Sequence, residues 1–121
     1  MANGHRRERV FRAEIPLPRT DNDGVPFART DIAWFEAGLR KIGSGFRKYE
    51  EARGVWEGEE TTYEEAVAVY VVTFPASRLR HLKALANEAS SVFRQEAILV
   101  EVSEVNAMLL AGNGNRTGSI R

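Results

Sequence analysis

Cysteine is absent from this 121-residue chain, which excludes a disulfide framework, a thiolate nucleophile and a thiolate metal site. Histidine is scarce: His5 and His81 stand apart, neither with a carboxylate at ligand spacing, so no metal site is expected. No apolar run approaches the roughly 18 residues that suggest a membrane span. The basic start, MANGHRRERV, is followed by no hydrophobic stretch of the kind a secretory signal carries. The expected location is therefore the cytoplasm, with no membrane partner. A surplus of one charge is missing as well, because 17 Lys and Arg balance 17 Asp and Glu, so a nucleic-acid partner is not expected without a local basic patch. There is no Gly-rich phosphate loop, and Ser77, Ser90 and Ser91 have no histidine placed to activate them. No cofactor is expected.

What is present is pattern. Residues 66–105 read as strand, turn, helix, turn, strand. Ala66 to Phe74 is apolar on both sides, with Ala68, Tyr70, Val72 and Phe74 on one face and Val67, Val69 and Val71 on the other, which predicts a central strand. Pro75 ends it, Ser77 is a candidate cap, and Leu79, Leu82, Leu85, Ala86, Ala89, Val92 and Phe93 form one face of a helix. Ala97 to Val105 is expected as the last strand. Upstream, Phe11, Ala13, Ile15 and Leu17 alternate with polar residues and proline, giving a first strand that Pro16 and Pro18 end or place at an edge. Thr30 and Asp31 open a helix carrying Ile32, Phe35, Leu39 and Ile42, closed by Gly43, Ser44 and Gly45. Phe46 to Trp56 reads as a strand with a bulge near Gly54, joined through the polar run Glu57 to Thr62 to the central strand.

The order β-α-β-β-α-β is that of an α+β, ferredoxin-like domain, a four-stranded antiparallel sheet with two helices on one face. Residues 1–8 are expected as a flexible basic arm, 9–110 as the single domain and 111–121 as a disordered tail. In either register the uncovered face of the central strand is apolar, which predicts a homo-oligomer, a dimer being the simplest, that buries it. The alternative cover is the segment Met108-Leu109-Leu110 folding back over the sheet.

Gly54-Val55-Trp56 on the second strand, with Phe93-Arg94-Gln95-Glu96-Ala97-Ile98-Leu99 after the second helix, is similar to a family of short bacterial and phage proteins known only as a domain of unknown function. The likeness covers roughly residues 9–105. It implies a ferredoxin-like fold and implies nothing about an activity.

Candidate site residues follow from side-chain chemistry. Tyr49, Arg53 and Trp56 on the second strand are suited to a planar ligand, because an aromatic ring beside an arginine stacks on flat rings. Arg78 and Arg80 stand where free helix amides would help them bind an anion. Gln95 and Glu96 sit at the helix-to-strand junction, where they either point into a pocket or only close the turn. The reading is of a non-enzymatic homo-oligomer that binds a small anionic or nucleotide-like ligand. The phage side of the resemblance makes anti-defence sequestration of a host immune signal one version of it. Two alternatives stay open: a cofactor-independent enzyme with a pocket in a dimeric barrel, Glu96 or His81 its base, and a protein-protein inhibitor acting through the acidic run Glu57, Glu59, Glu60, Glu64 and Glu65.

Overall fold

In a computed structural model, which describes residues 8–110 and 112, seven elements follow one another. They are β1 (Val10–Pro18), α1 (Arg29–Gly43), β2 (Arg47–Glu57), β3 (Thr62–Pro75), a 3-10 turn (Ala76–Arg78), α2 (Leu79–Val92) and β4 (Glu101–Val105). The sheet order is β2-β3-β1-β4, and every pairing is antiparallel. This is the ferredoxin-like arrangement that the alternation of elements predicts. His5 and most of the expected tail lie outside the described residues.

The two-sided β3 pattern resolves by register. Ile15 pairs with Tyr70 and Ala13 with Val72, so Ala68, Tyr70, Val72 and Phe74 face the helices and join Phe35, Leu39, Leu82 and Phe93 in the core. Val67, Val69 and Val71 lie on the other face. That face is less apolar than β3 alone implies: Val67 and Val71 are only 2% and 3% exposed already. Glu14 and Arg47 flank Val71, and Pro18 and Ala52 flank Val67. Met108, Leu109 and Leu110 do not cover it, being 75%, 83% and 76% exposed.

Several boundaries differ from the sequence reading. β3 starts at Thr62 rather than Ala66, because Thr62 to Glu65 pair with Gly54 to Glu57 instead of forming a connection. The turn is tight, with the Gly58 amide donating to the Thr61 carbonyl at 2.7 Å. The bulge falls between Tyr49 and Ala52, where three steps on β2 match two on β3. Gly54 is regular strand. It is small because the Trp56 ring crosses it: a Cβ there would sit 2.8 Å from the indole. β4 is confined to Glu101–Val105; Ile98 and Val100 pack on the core without a ladder.

Neither expected cap forms. α1 begins at Arg29 after Ala28, with Thr30 inside its first turn. Phe27, buried with its ring 4.8 Å from that of Phe93, sets the entry. Before α2 the Ser77 side chain caps nothing; its amide donates to the Glu8 carboxylate at 3.0 Å. At the other end Arg94 adopts a left-handed conformation (φ 52°), and the amides of Arg94 and Gln95 donate to the carbonyls of Ser91 and Ser90. This is a Schellman closure made without glycine.

Candidate ligand-binding site

β1 stops opposite Val67, so β2 and β3 continue alone as a two-stranded ribbon. At the base of that ribbon the bulge residues Glu50 and Glu51 swing away from regular pairing. A cleft of about 820 Å³ opens there, lined by Arg19, Glu50, Glu51, Ala52, Arg53, Glu64, Glu65 and Ala66. The lining residues carry four carboxylates and two guanidinium groups. Both arginines are engaged, Arg19 with the Glu50 carbonyl and Arg53 with the Glu64 carboxylate.

Register divides the aromatic residues from Arg53. Tyr49 pairs with Val69, and Trp56 with Tyr63, so Tyr49, Trp56, Tyr63 and Glu65 share the face away from the helices. Arg53 and Val55 lie on the opposite face of the ribbon. The Trp56 indole Nε1 donates to Glu65 Oε1 at 2.7 Å, which fixes the ring while leaving the residue 39% exposed. Tyr49 and Tyr63 are 53% and 59% exposed. An immobilised indole with an open face is a stacking surface whose ordering entropy is already spent in the fold.

Behind the cleft, Glu36 on α1 accepts from Lys48 Nζ at 2.8 Å and from the Tyr70 hydroxyl at 2.6 Å, both at Oε2. Burial acts to raise the Glu36 pKa, but the two hydrogen bonds and the lysine charge outweigh it and the carboxyl is lowered. For Lys48 burial acts to lower the value, and the hydrogen bonds and charge effects of Glu36 and Tyr70 together more than offset it, so the ammonium form is favoured. Tyr70 is pushed up by burial and by the adjacent carboxylate, and its phenol stays a neutral donor. Lys48 also stands 3.5 Å from Glu50 of the cleft. The network thus ties the core to the bulge, a link no sequence pattern announced because Glu36, Lys48 and Tyr70 come from three elements.

The remaining candidates are dispersed. Gln95 donates its side-chain amide to the Phe93 carbonyl at 3.0 Å and closes the helix, while Glu96 is exposed beside it. Both lie at the ribbon end of the domain, because Arg94 bonds Asp21 in the loop after β1. Arg78 and Arg80 stand at the other end of β3, and Arg78 donates to the Lys41 carbonyl. His81 lines a groove between the two helices with Gly38, Ile42, Leu85 and Glu88. Sequence reasoning missed Glu50, Glu65 and Arg19 as cleft residues. The signal for Glu65 was its alternation with Tyr63 and Val67. Among the described residues no three His, Asp or Glu side chains are grouped to hold a metal, and no helix is long and apolar enough to cross a membrane.

Neither the known family models nor the curated proteins match this sequence. Solved structures do match in shape. A phage SAM lyase in complex with S-methyl-5′-thioadenosine superposes with a TM-score of 0.63 at 19% identity, over 85% of this chain and 88% of that one. The divalent cation tolerance protein CutA1 of Thermus thermophilus gives 0.60 at 6% identity, over 83% and 87%. GlnK of B. subtilis, solved with ATP, gives 0.56 at 12%, over 80% and 82%. At these identities the likeness shows the fold.

Proposed function

We propose that this chain binds an adenine nucleoside or a close relative at the base of the β2-β3 ribbon, stacked on Trp56. The observation that carries the reading is the indole itself, locked by Glu65, open on one side, and set beside a cleft of ligand size. Two proteins of the same fold, the phage lyase and GlnK, were solved with adenosine-containing ligands, which supports the ring class. Charge refines it further. Four carboxylates against two paired guanidinium groups favour a neutral or cationic ligand over the anionic one suggested by the arginine content. A phosphorylated host signal finds no cationic surplus here.

The site is completed by self-association in this reading. A two-stranded ribbon is at best marginally stable alone, yet this one exposes Val55 (56%), Trp56 and Tyr63. Packing of a second copy against the Val55 face of the ribbon covers that side chain and closes the cleft, while the open face of the Trp56 ring is left to the ligand. Equilibrium dialysis against S-methyl-5′-thioadenosine, ATP and inorganic phosphate tests the ligand. Retention of the neutral nucleoside with neither anion is expected, and retention of phosphate or of nothing contradicts it.

A second reading is enzymatic, favoured by the four cleft carboxylates together with the lyase among the structural neighbours. Glu96 or a cleft glutamate then serves as base. Incubation with S-adenosylmethionine separates the two: a binder returns it intact on heating, whereas an enzyme returns product.

A further inference from the structure

β4 is an edge strand, and the hydrogen bonds around β1 show which of its backbone groups point off the sheet. Arg19 donates its amide to the Ala66 carbonyl, and the Arg9 carbonyl accepts from the Ala76 amide. The odd-numbered residues of β1 therefore turn their backbone groups toward β3, and the even-numbered ones toward β4. Val10, Arg12 and Glu14 meet Val105, Ser103 and Glu101 in this way. Val102 and Glu104 are left with amide and carbonyl directed away from the sheet. On the helix side of the same edge lies a groove of about 370 Å³, lined by Leu79, Leu82, Ala86, Ile98, Val100 and Val102 with two polar residues. Val102 is 42% exposed there.

The segment that suits this edge follows it in the chain. Met108, Leu109 and Leu110 stand clear of the groove at 75–83% exposure. A reversal centred on Asn106 and Ala107 sets Met108, Leu109 and Leu110 opposite Val105, Glu104 and Ser103. Asparagine tolerates the left-handed backbone that such reversals use. Glu104 is paired with Phe11, whose side chain packs on the core, so Leu109 opposite it falls on the groove side. Its amide and carbonyl then meet the two free groups of Glu104. A slip of one residue would turn Leu109 to the other face. Only Val105 to Met108 separate the two partners, and so short a tether gives the segment an effective concentration at this edge that a separate molecule does not reach.

We propose that residues 108–110 are a strap that closes along β4, adding a short fifth strand to the sheet and laying Leu109 over the α2-β4 groove of its own chain. Closure covers a sheet edge that otherwise invites pairing between chains and leaves self-association to the β2-β3 ribbon. It is independent of the nucleoside site.

Amide exchange in the unsubstituted protein reads the strap directly. The Glu104 and Leu109 amides are expected to exchange at least about tenfold more slowly than those of Met108 and Leu110, which point outward on the closed strap. Equal exchange at Leu109 and its two neighbours overturns the proposal. In the closed register Ser103 and Leu110 form a non-hydrogen-bonded pair about 4.5 Å apart at Cα, within disulfide reach. The chain has no cysteine of its own, so Ser103→Cys/Leu110→Cys, which keeps Leu109, is oxidised in dilute solution and run on a denaturing gel without reductant. A disulfide within one chain is expected, and a disulfide between chains or none at all overturns the strap. Leu109→Asp is expected to lower the melting temperature more than Leu110→Asp, whose side chain points off the groove; equal shifts contradict the register.

Discussion

The indole of Trp56 lies across Gly54, so close that a single added methyl carbon at residue 54 would meet the ring at 2.8 Å. The glycine and the tryptophan therefore act as one unit, an aromatic ring covering a strand glycine, and the Glu65 carboxylate holds the ring in place. Gly54→Ala is expected to displace the indole without unfolding the sheet. In a Trp34→Phe background, which leaves Trp56 as the sole indole, its fluorescence maximum should move to longer wavelength. An unshifted spectrum contradicts this placement.

Gly43 is held by a harder constraint. A side chain there would meet Val72 and stand 2.8 Å from the Thr73 carbonyl oxygen, which is backbone and cannot swing aside. Gly43→Ala should destabilise the fold by about 1–3 kcal/mol, as overpacking does, measured by urea unfolding. Tolerance of the alanine would show that α1 sits farther from β3.

Arg94 is left-handed at φ 52°, a conformation that costs a non-glycine residue roughly 1–2 kcal/mol. It also bonds Asp21 through Nε at 3.1 Å and Nη2 at 3.0 Å. Arg94→Ala loses the pair and keeps the strain; Arg94→Gly loses the pair and relieves it. The glycine variant should be the more stable of the two by about 1 kcal/mol in chemical denaturation. The reverse order contradicts the Schellman closure.

How much of this was legible beforehand varies by residue. Ala13, Ile15 and Leu17, and the β3 row from Ala68 to Phe74, announced themselves because period-two alternation reports burial directly. Thr62 to Glu65 did not, because a ribbon strand wet on both faces has the composition of a loop. Trp56 stood out by chemistry, but its partner Glu65 became visible only through register. Arg94 gave no signal at all, since a glycine is the usual mark of that closure.

Asp21 accepts from the backbone amides of Val25 and Asp23, both at 2.9 Å, and from Arg94. The Val25 bond is the largest influence, and the carboxyl is lowered from its ordinary value. A depressed folded-state pKa gives stability that is fully present above the unfolded value, about 3.9, and is lost as pH falls through the folded one. Asp21→Asn should therefore lower the melting temperature at pH 7 while flattening its fall below about pH 4. A parallel fall in both proteins would remove Asp21 as the cause.

Tyr70 donates to Glu36 beside Lys48, a hydrogen bond to a charged group of the kind worth about 1.5–3 kcal/mol. Tyr70→Phe should cost that order of stability and leave the fold intact. A neutral substitution would mean that Lys48 alone satisfies Glu36.

The most direct measurement is calorimetric titration of S-methyl-5′-thioadenosine into the unsubstituted protein and into Trp56→Ala. Stacking of a base on an aromatic side chain is worth about 1–3 kcal/mol, so binding to the unsubstituted protein and a loss of about 5- to 150-fold in the variant are predicted. No heat with the unsubstituted protein, or equal affinity in the two, would contradict the assignment of this ring as the ligand platform.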